Sequence, residues 1–277
     1  MPRNAAAQLY VTQSTLPGEE LGGVSEYDAN TGVLMRASFI SKLNEPAALA
    51  LLDHTLFVAS FNDNKIGTYL PDSGDPIKAN FITGLDAPEA VAVTGPSAFF
   101  SSALLFVANS ADGTVGKYDA NTGGEINAGF IVMHDEPSGL AVMGPTVFFP
   151  SGFLFVSYFS NGTVGLYDPI TGAAINTSFI TGLKGPAGLA LQGRNLLVAN
   201  LFGNTVSKYD ALTGEKINER FITDLDFPAG LAVKDNILYV TNDDDPGSVG
   251  QYDAITGEKI KDKFITGLTF PVGIVVK

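Results

Sequence analysis

One phrase recurs along the chain at nearly fixed intervals, and that recurrence limits the fold more tightly than any property of the composition. It reads GKYDANTGGEINAGFI at 116–131 and returns as GLYDPITGAAINTSFI (165–180), SKYDALTGEKINERFI (207–222) and GQYDAITGEKIKDKFI (250–265). Two diverged copies precede it, SEYDANTGVLMRASFI (25–40) and GTYLPDSGDPIKANFI (67–82). The repeat tyrosines Tyr27, Tyr69, Tyr118, Tyr167, Tyr209 and Tyr252 are 42, 49, 49, 42 and 43 residues apart. Periods of about 40–45 residues are those of propeller blades with four strands each. Helical repeats of similar length need long apolar stripes of period 3.6. Those are absent here, while glycine, β-branched and aromatic residues abound.

Each unit holds four strand-like pieces in fixed order. In the fifth copy PAGLALQG is followed by NLLVAN, NTVSKYD and KINERFI; we name these strands A to D, from the inside of a blade outward. Between C and D lies YDALTGE, in which Asp210 can accept bonds from the backbone ahead and Gly214 can take a positive φ. The chain opens on a B-type piece, QLYVTQ (8–13), and closes on an A-type piece, PVGIVVK (271–277). The expectation is an all-β chain: one six-bladed β-propeller domain over 1–277, with four antiparallel strands per blade. Residues 8–40 and 271–277 share blade 1, so a C-terminal inner strand closes the ring and removes a free sheet edge.

The pairing of PAGLAV with NILYVTN (228–242) resembles the NHL-type propeller repeat. The longer phrase from LFVANSADGTVGKYD to PSGLAV is similar to repeats of exported bacterial proteins of unknown function, many with a PEP-CTERM sorting tail. That resemblance covers nearly the whole chain and implies a fold, not an activity, because this scaffold carries hydrolases, lyases and inert binders alike. The sorting tail is missing from this sequence. AAAQ at 5–8 resembles the small-residue end of a cleaved signal peptide, which points to an extracellular or periplasmic protein.

Composition narrows the chemistry. With no cysteine in 277 residues, disulfides, thiol nucleophiles and thiolate metal sites are excluded. No run of about eighteen apolar residues exists to span a membrane. A net charge of −13 is the wrong sign for nucleic acid. The repeated motif itself reads as building material, since a six-fold feature cannot supply an asymmetric site. Function is sought where the copies differ.

The D-to-A and B-to-C loops should share one face, here called the top. Those loops hold 14 of the acidic residues against Lys42, Lys65 and Lys184, so nearly all the net charge should sit on that face, focusing field toward cations. Glu45, Glu89 and Glu136 flank the proline that starts strand A in blades 2, 3 and 4. Asn109, Asn200 and Asn242 end strand B in blades 3, 5 and 6, where other blades have Gln13, Ser60 and Tyr158. Such oxygens around a channel mouth suit Ca²⁺, which takes six to eight oxygen ligands; alternatively the asparagines cap their own loops and the acids are surface charge. The densest cluster, Asp243, Asp244 and Asp245, is either a solvated turn or a second cation site. His134, beside Asp135 in a top loop, is a candidate acid-base. His54 lies on the opposite face, so the two histidines cannot share a zinc ion.

On the bottom face the A-to-B connections of blades 3 and 4 swell to TGPSAFFSSA (94–103) and MGPTVFFPSG (143–152). Phe99, Phe100, Phe148 and Phe149 there either form an apolar contact patch, giving a monomer that self-associates weakly, or bury one another. Three functions fit this pattern. The leading one is a non-catalytic exported propeller binding a small molecule, a protein or a surface polymer. The second is a divalent-metal hydrolase or lactonase resembling gluconolactonase-like propellers, and the third a structural surface or matrix protein.

Overall fold

The computed structural model describes residues 7–16, 18–97, 102–133, 135–145 and 151–277. Its construction begins at the Tyr-Asp-x-x-Thr-Gly turn. Asp210 Oδ1 accepts hydrogen bonds from the amides of Leu212 (2.9 Å) and Thr213 (3.0 Å). Asp28, Asp119, Asp168 and Asp253 do the same two and three residues ahead. The turn glycine then takes a positive φ, 73° at Gly214, and its amide returns to the Asp210 carbonyl at 2.9 Å. Blade 2 has Leu70 in place of the aspartate, yet the same backbone bond forms from Gly74 to Leu70 at 2.8 Å. The aspartate assists the turn, and the glycine is what the backbone requires.

These turns join strands C and D of six four-stranded antiparallel sheets. Blades 2 to 6 take their strands in chain order, with inner strands Pro46–Leu52, Pro88–Thr94, Pro137–Met143, Pro186–Gln192 and Pro228–Lys234. Blade 1 combines Gln8–Gln13, Gly22–Asp28 and Leu34–Leu43 with an inner strand from the other end of the sequence, Ile274–Val276. There Leu9, Tyr10 and Val11 pair with Val276, Val275 and Ile274. This strand is shorter than the 271–277 expected, although its pairing with Gln8–Gln13 continues one residue beyond its start. The Thr12 amide still donates to the Gly273 carbonyl at 2.9 Å, and Gly273 returns a bond to the Thr12 hydroxyl at 2.7 Å. The result is a closed six-bladed β-propeller.

Packing between blades explains why the phrase is repeated. A side-chain carbon on any of the six turn glycines would stand 2.2–2.6 Å from a carbonyl oxygen of the preceding blade, that of the D-strand phenylalanine. That is far inside van der Waals contact, so each motif turn is keyed into its neighbour. The repeat tyrosines are buried in the same seams. Lys117 reaches across one seam to the carbonyls of Pro169 (3.0 Å) and Ile170 (2.9 Å), and Lys208 across another to Ile255 (2.8 Å). The motif is therefore a joint between blades.

The inner strands meet as tightly. In blades 4, 5 and 6 and at the closing strand, the second residue after the proline is Gly139, Gly188, Gly230 or Gly273. A Cβ on any of them would come within 2.1–2.7 Å of the next blade's backbone. Ala48 and Ala90 hold that position in blades 2 and 3.

Candidate functional site

Two loop families meet on one face, as their hydrogen bonds show. The amides of Phe61, Ser110, Phe159, Leu201 and Asp243 donate to the carbonyls of Glu45, Ala87, Glu136, Gly185 and Phe227. Each of these bonds ties the residue after strand B to a residue before the strand-A proline. Inside that rim opens a cavity of about 180 Å³ at the channel mouth.

Strand A sets the lining in two tiers. The residues directly after the prolines are Ala47, Glu89, Ser138, Ala187, Ala229 and Val272; two residues further come Leu49, Val91, Leu140, Leu189, Leu231 and Ile274. Glu89 is the one charged residue among these twelve. Ser138 has already committed its hydroxyl to the Pro186 carbonyl at 2.6 Å. Above the tiers, the residues after strand B in blades 4, 5 and 6 complete the wall: Phe159, Leu201 and Asp243. Blades 3 and 6 face each other across a six-membered ring, so Glu89 and Asp243 approach the cavity from opposite sides.

Both carboxyls are disturbed by this setting. Burial pushes Glu89 up to about 7; the Glu136 charge adds to the rise, and a hydrogen bond with Ser110 opposes it. Burial likewise pushes Asp243 up to about 6, with Asp244 and Glu45 contributing by repulsion. Asp243 Oδ1 is buried and has no hydrogen-bond partner among the described residues. No lysine or arginine there forms an ion pair with either carboxyl. A carboxyl that is partly desolvated and left without a counter-charge costs stability, which marks the position for function.

The other candidates are placed differently. Glu45 and Glu136 are exposed on the rim, where Glu45 accepts from Asn62 at 2.5 Å and Glu136 from Ser160. Asp135 accepts from Asn161 at 2.7 Å. Asp244 and Asp245 face solvent, so the acidic run separates into one cavity residue and two surface residues. The asparagines do not line the axial cavity; their side-chain nitrogens are engaged within their own hairpins, while Oδ1 of Asn109 and of Asn200 is buried without a hydrogen-bond partner among the described residues. Asn109 donates to Thr114 (3.1 Å), Asn200 to Ser207 (2.8 Å) and Asn242 to Ser248 (3.1 Å). Tyr158 is buried, its hydroxyl 2.7 Å from that of Tyr167. No three Asp, Glu or His side chains gather as a metal-holding group among the described residues. His134 and the four bottom-face phenylalanines, Phe99, Phe100, Phe148 and Phe149, lie outside them.

The top face also carries exposed aromatic residues beside its acids and amides. Phe202, Phe227 and Phe270 are 61%, 44% and 47% exposed. Phe159 and Phe202 stack edge to face, ring centres 5.3 Å apart. Phe227 and Phe270 directly precede strand-A prolines, where other blades have Glu45, Ala87, Glu136 and Gly185. Both hold positive φ, 50° and 43°, a strained setting for an aromatic residue. A tabulation of that one position would have exposed them in the sequence.

The fold and this mouth define a six-bladed β-propeller with a small, mostly apolar axial cavity. The chain is similar in structure to one in the crystal structure of a nidogen/laminin complex: 98% of each chain aligns, with a TM-score of 0.73 and 13% identity. A second likeness is to the computationally designed Ika8 protein, with a TM-score of 0.54 and 14% identity over 96% of this chain and 90% of that one. No known protein family matches the sequence, and no curated protein is significantly similar to it.

Proposed function

We propose that this propeller is a non-catalytic binding protein whose top face docks a positively charged segment of a protein partner. The observation that carries the reading is the juxtaposition, on one rim, of Phe159, Phe202, Phe227 and Phe270 with acidic residues short of basic partners. Exposed aromatic side chains beside charge are the usual anchors of a protein interface, and an acidic surface steers a basic partner toward it. The structural neighbour comes from a complex between two proteins, which agrees with a docking role for this scaffold. An NHL-type repeat and an exported location belong to the same reading. The lactonase alternative draws less support, because the asparagines it would use as metal ligands lie outside the lining of the axial cavity.

The test is a peptide array that varies net charge and apolar content independently, read at low and physiological salt. Peptides combining lysine or arginine with apolar residues should bind, and binding should weaken with salt. The double variant Phe202→Ser, Phe227→Ser should lose most of that binding while keeping its melting temperature. Hits without preference for positive charge, or undiminished binding to the variant, rule this reading out.

A further inference from the structure

We propose that the axial cavity binds a single organic cation, an alkyl ammonium or guanidinium group, held between the carboxylates of Glu89 and Asp243. The site rests on the reading of this face as the one that takes cationic partners, and it specifies what enters the channel.

The walls decide the class of ligand. A metal ion such as Ca²⁺ needs six to eight oxygens, and the side chains of this cavity offer two carboxyl groups and the Ser138 hydroxyl, already bonded to Pro186, in an otherwise apolar wall. An alkyl ammonium or guanidinium suits that inventory, because its charged head meets the carboxylates while its stem lies on apolar wall. Phe159 adds an aromatic ring at the mouth, and cations bind favourably over such rings. At about 180 Å³ the space falls below the roughly 300 Å³ at which drug-sized pockets begin. It fits one side chain or a small amine.

The carboxyls, for their part, call for such a ligand. Asp243 Oδ1 has no partner among the described residues, and neither acid has a basic counterpart there. Nothing in the joint chemistry of the fold requires them: the position after the proline is Ala47, Ser138, Ala187, Ala229 or Val272 in the other blades. The position of Asp243 is Ser14, Phe61, Ser110, Phe159 or Leu201. Their cost is offset when a cation sits between them.

The intact chain would be titrated at pH 8 with n-butylammonium and n-butylguanidinium, following backbone amide shifts by NMR, with n-butanol as the neutral isostere. Saturable shifts at the inner-strand residues with the cations, and much weaker ones with butanol, are expected. Glu89→Gln and Asp243→Asn should each weaken binding about tenfold or more, and Glu258→Gln on the opposite face should not. The source of the group is read from a lysine peptide and its acetylated form. A peptide that binds far tighter than butylammonium, and loses this on acetylation, assigns the group to a partner's side chain. Equal affinity assigns it to a free amine and removes the protein-partner reading while upholding the site. The proposal is overturned if butanol binds as well as butylammonium, if the inner strands show no saturable shift, or if Ca²⁺ occupies them more tightly than either amine. The comparison with butanol uses only the unmodified chain, so it decides the matter even where a variant fails to fold.

Discussion

The turns joining strands C and D and the loops around the channel mouth are built on the same six-fold frame, yet they obey opposite rules. At the turns every blade repeats a glycine within 2.2–2.6 Å, on adding a Cβ, of its neighbour's carbonyl oxygen. At the mouth, the position before the strand-A proline is Glu45, Ala87, Glu136, Gly185, Phe227 or Phe270. One region tolerates no side chain and the other has accepted four residue types among six blades. Repetition here records mechanical contact between blades, and divergence marks the face on which the proposed binding would act.

The largest effect is expected from deleting residues 271–277, which takes away the inner strand of blade 1 and bares the edge of Gln8–Gln13. Loss of a cooperative thermal transition, or aggregation on light scattering, is the expected outcome. A truncated chain that stays monomeric and melts as before would show that closure does not depend on this strand.

Next comes the joint itself. Gly172→Ala places a Cβ about 2.4 Å from the Phe130 carbonyl oxygen at a residue with φ 76°. Left-handed backbone and overpacking together should cost about 2–5 kcal/mol in urea denaturation. Gly182→Ala is the control, since its φ of 78° is equally left-handed but nothing lies within 4 Å; it should lose only about 1–2 kcal/mol. Equal losses in the two variants would remove the keyed joint from the explanation.

A smaller effect is expected from pH. Glu89 and Asp243 have folded pKa values near 7 and 6, above their unfolded values, so the folded chain keeps protons that the unfolded chain has released. Their destabilising effect is absent below about pH 4, grows as pH rises, and is complete once pH exceeds about 7. Glu89→Gln should therefore raise stability at pH 8 by up to about 3 kcal/mol and do little at pH 4. The groups that set these values, Glu136 and Ser110 for Glu89, Asp244 and Glu45 for Asp243, remain in place. A variant no more stable than the parent at pH 8 would mean that the cavity leaves Glu89 as well solvated as a surface residue.

The smallest expected shift is that from Ca²⁺. With no three acids gathered as a metal-holding group among the described residues, Ca²⁺ should raise the melting temperature no more than monovalent salt at equal ionic strength. A clear excess that disappears in Asp244→Asn, Asp245→Asn would place an ion in the 242–248 loop.

The frame was legible in the sequence because its causes are local. A tyrosine, an aspartate and a glycine at fixed spacing specify a turn, and six turns at a constant interval specify a ring. Glu89 and Asp243 are also legible there as acids of the mouth, though the sequence does not say which neighbours line the cavity with them. Glu89 was grouped with Glu45 and Glu136 because all three flank a proline, whereas only the residue after that proline enters the channel. Asp243 was grouped with Asp244 and Asp245 by adjacency, although successive residues of a tight loop diverge in direction. The exposed phenylalanines escaped because an apolar residue next to a strand reads as core until the fold is known.

The meeting of Thr12 with Gly273 across 261 residues has a kinetic consequence. Bringing such distant segments together costs about 3 kcal/mol more loop-closure entropy than joining Ser25 to Ala37, 12 residues apart. The other five blades can assemble from neighbouring hairpins before this meeting takes place, so closure of the ring is expected to come last in folding. It is also where the assembled ring is released with least loss of local structure, and amide hydrogens of Tyr10 and Val11 should exchange through that opening sooner than those of Phe106 and Val107.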